Sequence, residues 1–124
     1  MFLRSNTGSV SPLSIEVRRD GRRLRVLALT GVLNYYTASQ FRAEYKLLID
    51  TEGAILARLI LDMRLVTEFD NAGIVALMEV VRDVEQRHLA FLVADRPDRP
   101  TYIATGLRDR LKFLSEAQAK ILCA

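Results

Sequence analysis

The chain has 124 residues, of which 50% are hydrophobic and 27% are charged, and its formal net charge is +3. This length is that of one domain, and the composition is that of a folded globular protein rather than a disordered one. So small a charge excess argues against a dedicated nucleic-acid binder, which concentrates basic residues on one face. The arginines occur instead in mixed clusters with aspartates, in residues 18–23 and 95–100, which are typical of solvated loops.

No stretch approaches the roughly 20 consecutive apolar residues that a membrane-spanning helix needs, and residues 1–14 contain no apolar block long enough for a signal peptide. The single cysteine, Cys123, cannot form an intrachain disulfide. We therefore expect a cytoplasmic protein that does not insert into a membrane. Residues 1–12 are mostly polar and small and are expected to form a flexible tail before a folded domain at 13–124.

Two runs near the start of the chain predict a β-hairpin. Residues 13–17 alternate between apolar and polar side chains, as a half-buried strand does, and residues 24–29 form a second apolar-rich run. Asp20 and Gly21 lie between the two runs, and a tight hairpin turn needs the positive φ that glycine adopts freely. Gly31 is expected to end the second strand.

Two amphipathic helices are predicted after the hairpin, separated by a strand. The first has Thr37 as a candidate N-cap and Gly53 as its end. A buried strand at 56–63 and a short polar link then lead to Asp70, which, like Asn71, can cap the second helix. The apolar stripes are Phe41, Tyr45, Leu48 and Ile49 in the first helix, and Ile74, Leu77, Met78 and Val81, widened by Val75, Val80 and Val84, in the second.

The rest of the chain repeats this alternation. Residues 89–94 predict a buried strand, and Pro100 is expected to open a helix that extends to residue 111. Residues 112–114 predict a short last strand, and Ser115 is expected to cap a final helix. Strands that alternate with helices of this length predict an α/β domain with an N-terminal β-hairpin, a mostly parallel sheet and crossover helices.

Catalytic chemistry finds little support in the sequence. His88 is the sole histidine and shares no ligand spacing with Cys123, so we expect no metal site, no cofactor and no nucleophile activated by histidine. Asp62, Glu68 and Asp70 lie near one predicted strand end, where α/β folds place active sites, but capping and solvation are the preferred interpretation. The arginines around the hairpin turn are preferably interpreted as keeping the exposed turn soluble. The alternative is that they contact the phosphates of a nucleic acid or a lipid.

One motif, residues 69–81, stands out because a polar Asp-Asn step precedes a strongly apolar helix. The unpaired N–H groups and positive dipole at such a helix start can hold or sense an anion. From these residues alone, plain helix capping is the favoured interpretation.

Three segments of the chain resemble the signatures of STAS domains, which include the anti-sigma factor antagonists. These segments are residues 30–41, 59–77 and 104–114, and the similarity covers about residues 13–122. The resemblance implies a fold in which strands and helices alternate, and a mechanism called partner switching. In the antagonists, the unphosphorylated protein binds an anti-sigma factor that is also a serine kinase, and phosphorylation of one serine breaks the complex.

The same resemblance implies roles for individual residues. Asn71 corresponds to the phospho-acceptor serine, Asp70 to the aspartate before it, Gly73 to the motif glycine, and Asn34 to the aspartate of the first loop. Ala72 stands where the family often has serine or threonine. An amide cannot accept a phosphoryl group, so we hypothesise that Asn71 keeps this surface in the uncharged, dephosphorylated-like state.

The predicted partner is therefore an anti-sigma factor or serine kinase-like protein, and the chain is not expected to be an enzyme. An alternative implied by the family is a subunit of an ABC complex that moves phospholipids, whose partner is the ATPase. An enzyme or small-ligand binder is a third possibility, and edge pairing of the first strand leaves a homodimer open. The residues predicted to bind the partner are Asn34, Tyr35, Asp70, Asn71, Ala72, Gly73, Ile74 and Met78, although Ile74 and Met78 fit the core equally well.

Overall fold

The computed structural model describes residues 12–123, so the predicted tail lies outside the described residues except for Pro12. Four strands and five helices follow one another along the described chain. They are β1 (Leu13–Arg19), β2 (Leu24–Leu33), α1 (Ala38–Glu52), β3 (Arg58–Phe69), α2 (Asn71–Gln86), β4 (Ala90–Ala94), α3 (Pro100–Thr105), α4 (Leu107–Arg110) and α5 (Glu116–Leu122).

The four strands form one sheet in the order β1-β2-β3-β4. β1 is antiparallel to β2, whereas β3 is parallel to both β2 and β4. Gly21 has φ 83° in the hairpin turn, as the sequence predicts. With α1 and α2 as the connections between parallel strands, the predicted α/β fold is confirmed.

The main core lies between one face of the sheet and helices α1 and α2. All four predicted stripe residues of α1 are buried, and so are Ile74, Leu77 and Val81 of α2. Val75 was expected to widen the apolar face, but it is 49% exposed because it lies one position, or about 100°, away from the buried stripe. The apolar periodicity thus placed both helices correctly and misplaced only this side chain.

Strands β2 and β3 extend well beyond their predicted ends, and β1 extends by two residues to Arg19. Gly31 does not end β2, which continues to Leu33, and the supposed polar link 64–69 is the second half of β3. The parallel pairing of Leu33 with Phe69 holds this extension. Gly31 is required within the strand, since its φ is 108° and a Cβ there would lie 2.1 Å from the carbonyl oxygen of Pro12.

The C-terminal part differs from the prediction in two details. The helix expected from Pro100 to residue 111 is broken into α3 and α4 at Gly106, whose φ is 75°. The predicted strand at 112–114 is reduced to a single bridge between Val93 and Phe113. Ser115 caps α5 as expected, because its Oγ accepts from the backbone N–H of Gln118 in a complete capping box.

Helix α5 covers the other face of the sheet. Arg18 of β1 and Arg64 of β3 both donate hydrogen bonds to the carbonyl oxygen of Cys123, at 2.8 and 3.2 Å, and so hold the end of this helix. Cationic donors at a helix C-terminus also complement its dipole. Apolar residues complete this second core: Val26, Ala28, Ile60, Ala94, Leu114 and Ala119.

A buried ion pair closes the sheet after β4. The Arg99 guanidinium donates to both carboxylate oxygens of Asp95, from Nε at 2.8 Å and from Nη2 at 3.0 Å. It also donates to the backbone carbonyls of Met63 and Val66 in the β3 extension. The Tyr102 hydroxyl donates to the same aspartate, so the pair is fully enclosed by hydrogen bonds.

We predict that Asp95→Ala lowers the free energy of unfolding by about 3–5 kcal/mol, because it leaves the buried Arg99 charge uncompensated. Urea unfolding followed by circular dichroism measures this change. Asp98→Ala is the matched control, since Asp98 is exposed and makes no ion pair within residues 12–123, and it should change stability by no more than about 0.5 kcal/mol. Equal effects of the two substitutions would contradict the assigned role of Asp95.

Candidate functional site

The predicted site lies at the end of the sheet where β2 runs into α1 and β3 runs into α2. A three-residue Asx turn shapes the first of these connections. The Oδ1 atom of Asn34 accepts from the backbone N–H groups of Tyr36, at 2.9 Å, and Thr37, at 3.2 Å. The turn therefore has a defined backbone conformation, and the two tyrosine side chains project from it.

Thr37 precedes α1 as expected but does not cap it. Its buried hydroxyl donates to the carbonyl of Val32 at 2.8 Å and accepts from the N–H of Asn34 at 2.9 Å. It accepts no hydrogen bond from a first-turn N–H of α1. The hydroxyl stabilises the loop instead of the helix.

Asp70 joins the two connections. Its Oδ1 accepts from the Gly73 N–H at 3.0 Å and so caps α2, while its Oδ2 accepts from the Tyr35 N–H at 3.2 Å. The backbone N–H of Asp70 donates to the carbonyl of Leu33. One carboxylate thus ties the Asn34 turn to the start of α2.

Gly73 allows α2 to approach the end of β2. A Cβ at this position would lie 2.5 Å from the carbonyl oxygen of Leu33 and 3.0 Å from side-chain atoms of both Leu33 and Phe69. Any side chain would push the helix away from the strand, which explains the glycine without reference to a ligand.

Asn71 is the first residue of α2 and is exposed. Within residues 12–123 its side-chain amide makes no hydrogen bond, and Asp70 rather than Asn71 is the N-cap. The amide group is therefore presented to solvent at the start of the helix, beside the half-buried Ala72. It can both donate and accept hydrogen bonds there.

An exposed apolar surface adjoins Asn71. Tyr35 is 74% exposed and Tyr36 is 81% exposed, and their rings pack edge to face with centroids 5.3 Å apart. Together with Val75 they line an open groove of about 620 Å³. We call this the tyrosine surface; it is completed by Ala38, Ser39, Arg42 and Ala72.

The structure separates the predicted site residues into two groups. Asn34, Tyr35, Asp70, Asn71, Ala72 and Gly73 are brought together in the two connections. Ile74 is buried in the main core, because it faces the sheet, and Met78 is half-buried against the same core. The exposed apolar side chains that share a groove with Ala72 are instead Tyr35, Tyr36 and Val75. Val75 could have been found as the apolar residue off the helical stripe.

Ion pairs border the tyrosine surface along α1 and α2. Arg42 makes two hydrogen bonds to Glu79, at 2.7 and 3.1 Å, and this hydrogen bonding is the main cause of the lowered pKa of Glu79. One turn further on, the Tyr45 hydroxyl donates to Asp83 at 2.6 Å. Burial, reinforced by this bond, raises the pKa of Tyr45, so the hydroxyl stays a donor. Arg42 and Glu79 thus neutralise each other, and Tyr45 and Asp83 satisfy each other's hydrogen-bonding groups.

Other residues considered for chemistry are not assembled into a site. Asp62 lies in the middle of β3 and is hydrogen-bonded to Arg64, and about six strand residues, or roughly 20 Å, separate it from Glu68. His88 is exposed at the opposite end of the sheet, in the turn before β4, with φ 55°. Within residues 12–123, no group of three metal-ligating side chains lies together, and no helix is long and apolar enough to cross a membrane.

The fold is that of the anti-sigma factor antagonists of known structure. The unphosphorylated antagonist SpoIIAA matches with a TM-score of 0.68 and 18% identity, over 86% of this chain and 92% of that chain. The phosphorylated SpoIIAA of Bacillus matches with a TM-score of 0.65 and 17% identity, over 90% of this chain and all of that chain. An antagonist from Mycobacterium paratuberculosis matches with a TM-score of 0.72 and 18% identity, over 88% of this chain and 92% of that chain. At these identities the matches establish the fold alone.

The family follows from the sequence itself. The profile described as "Mlab, STAS domain" matches residues 15–105, which is most of the chain. The protein belongs to the STAS domain family, as the three sequence segments implied. A comparison with curated protein sequences finds no match.

We predict that Asp70→Ala lowers the free energy of unfolding by about 1–2 kcal/mol, because the cap of α2 and the bond to the Tyr35 N–H are lost together. Amide hydrogen exchange should become faster at Tyr35 and Gly73 in particular. Asp50→Ala is the control, since the exposed Asp50 forms a surface i,i+4 ion pair with Lys46 and its removal should cost about 0.5 kcal/mol or less. Unchanged exchange at both amides would contradict the bridging role of Asp70.

Proposed function

We propose that the protein is a non-catalytic regulator that binds a partner protein through the tyrosine surface and Asn71. It resembles an anti-sigma factor antagonist in which Asn71 replaces the phospho-acceptor serine. The observation that carries this proposal is the exposed pair Tyr35 and Tyr36, on a turn anchored by Asp70, which line one groove with Ala72, the neighbour of Asn71 in the chain. The partner we propose is an anti-sigma factor or a related serine kinase-like protein.

The composition of this surface supports a protein partner. Tyrosine is enriched among the residues that contribute most to binding, because its ring buries a large area and its hydroxyl retains a hydrogen bond. The turn is already ordered by Asn34 and Thr37, so less conformational entropy is lost on binding. The Arg42–Glu79 pair then supplies a polar rim.

Asn71 determines the charge of this surface. In a phosphorylated relative the same position would carry about −1.5 to −2 charges at neutral pH. The amide cannot be esterified, so we propose that the surface stays in its binding state and that regulation acts elsewhere. In addition, the asparagine amide can donate a hydrogen bond to the partner and accept one from it.

A second candidate function is favoured by the same residue and by the family profile. The profile is described as "Mlab, STAS domain", and STAS subunits of phospholipid-transport ABC complexes often lack the acceptor serine. In that case the partner is the ATPase subunit. The same tyrosine surface would be used, so the identity of the partner distinguishes the two functions.

Affinity purification from the native cell, followed by mass spectrometry, identifies the partner. A kinase-like anti-sigma factor supports the first function, and an ABC ATPase supports the second. The purification is repeated after phosphatase treatment, and the proposal expects the same partner in both samples because Asn71 carries no phosphate. Recovery of no partner by the wild-type chain, when a second STAS protein recovers its own, would count against both functions.

We predict that Asn71→Asp weakens binding of the purified partner about tenfold or more, because it places a desolvated negative charge in the interface. Isothermal titration calorimetry measures the change. The substitution should not unfold the protein, since an aspartate in the first turn of α2 interacts favourably with the helix dipole. Gln86→Glu, which makes the same change of charge at the exposed far end of α2, should leave the affinity unaltered. Equal affinities of Asn71→Asp and the wild type would refute the hypothesis.

We also predict that Tyr36→Ser reduces the affinity about tenfold or more, since an exposed tyrosine at the centre of an interface contributes about 2 kcal/mol or more. The same calorimetric measurement applies. Ile121→Ser, which removes an equally exposed apolar side chain from α5, is the control and should bind normally. If Ile121→Ser weakens binding and Tyr36→Ser does not, the partner docks on the α5 face instead.

A further inference from the structure

In the part of the chain that the structure describes, β1 is an edge strand of the sheet. Its hydrogen bonds to β2 are made by even-numbered residues, as shown at the two ends of the ladder, where Val32 donates to Pro12 and Asp20 donates to Leu24. In an antiparallel pair, the residues between them direct their N–H and C=O groups to the other side. The backbone groups of Ile15, Val17 and Arg19 therefore point away from the sheet.

The start of this edge is occupied, whereas the outward backbone groups of Ile15 and Val17 receive no hydrogen bond from residues 12–123. The outward carbonyl of Leu13 accepts a hydrogen bond from the Gln40 side chain at 2.9 Å. Within residues 12–123, no strand pairs with this side of β1. Such an edge is a template for another strand.

Apolar side chains flank the open backbone groups. Ile15 and Val17 are half-buried at the margin of the main core. Leu47 is exposed, and it lies two turns after Gln40 on the same face of α1. Two turns span about 10 Å, which is about three strand residues, so Leu47 lies level with the middle of β1. A strand added to this edge would cover all three side chains.

The charges on β1 fit a second copy of the same strand. Glu16 and Arg18 lie on the α5 side, opposite Ala28 and Val26 of β2. Within one chain, Arg18 Nε already donates to Glu16 Oε1 at 2.6 Å, and both side chains remain partly exposed. If two β1 strands pair antiparallel with Val17 opposite Val17, then Glu16 of each copy also lies opposite Arg18 of the other, and the two pairs form one network of four charges. Opposite charges directly across an antiparallel pair are favourable, and like charges are unfavourable. The register shifted by one pair places Glu16 opposite Glu16 and is disfavoured.

We propose that the chain forms a homodimer by antiparallel pairing of two β1 edges, with Val17 on the two-fold axis and a Glu16–Arg18 pair on each side of it. The paired segment is 15–19, with Leu47 of each copy packing against the strand of the other. This surface is short, so we expect a dimer that dissociates on dilution. The tyrosine surfaces lie outside it, so the proposal does not depend on the proposed function.

Sedimentation equilibrium of the full chain over a range of concentrations tests the proposal. The apparent mass should rise from 14.0 kDa toward twice that value as the concentration increases. Glu16→Arg should abolish this rise, because it places arginine opposite arginine. Arg18→Glu should abolish it as well, and this variant is expected to fold because Arg64 still donates to the Cys123 carbonyl. Circular dichroism verifies that both variants are folded.

Mixing the two variants gives the sharpest result. In the heterodimer, the arginine introduced by Glu16→Arg lies opposite the glutamate introduced by Arg18→Glu. On the other side of the axis, the unchanged Arg18 of the first variant lies opposite the unchanged Glu16 of the second. Two monomeric proteins should therefore associate when combined. Arg22→Glu, at the exposed tip of the hairpin, is the control and should dimerise like the wild type.

Two outcomes overturn the proposal. The first is a wild-type chain that stays at 14.0 kDa at every concentration. The second is a dimer that is insensitive to both charge reversals, since the interface must then lie elsewhere.

Discussion

The Asp70 carboxylate receives backbone N–H groups from two separate parts of the chain, and the geometry of the site depends on this arrangement. One oxygen accepts from the first turn of α2, and the other accepts from Tyr35 in the preceding connection. Both connections must therefore be in place for either to be fully hydrogen-bonded. The absence of a Cβ at Gly73 lets the helix come close enough for these bonds to form. The aspartate and the glycine of the motif are thus explained by the architecture. Of the two residues between them, Ala72 is half-buried, and Asn71 is exposed with an amide that makes no hydrogen bond within residues 12–123.

Much of the fold could be predicted because local patterns and long-range packing agree. The stripes of α1 and α2 are buried as their spacing requires, and the hairpin turn has the positive φ at Gly21 that the Asp-Gly step indicates. Ser115 caps α5 with the side-chain hydrogen bond expected of it. In each case a short segment contains all the information needed, because the periodicity or the turn chemistry is local. The parallel sheet followed from this alternation together with the general rules for crossover connections.

The parts that were not predictable depend on distant partners. The second half of β3 contains Arg64, Thr67 and Glu68 and looks like a loop, yet it is a strand because β2 continues alongside it. The site itself was only partly predicted. The loop residues and Asp70 come together as expected, but Ile74 faces the core, and the exposure of Tyr36 depends on how the Asn34 turn is held. Sequence reasoning could locate this turn but had no means of telling which of its side chains would face outward.

The buried Arg99 affects how the end of the sheet after β4 could bind a small molecule. Open α/β sheets commonly hold their substrates in the crevice beyond the carboxyl ends of the strands. Here a guanidinium fills the space between the end of β4 and the extended β3, with four of its hydrogen bonds already made to Asp95, Met63 and Val66. An open groove of about 760 Å³ lies beyond the end of β4, and the Asp95 carboxylate that lines it is already bonded to the protein's own cation. A small molecule in that groove would therefore have to displace Arg99 and Tyr102 before it could bind this carboxylate.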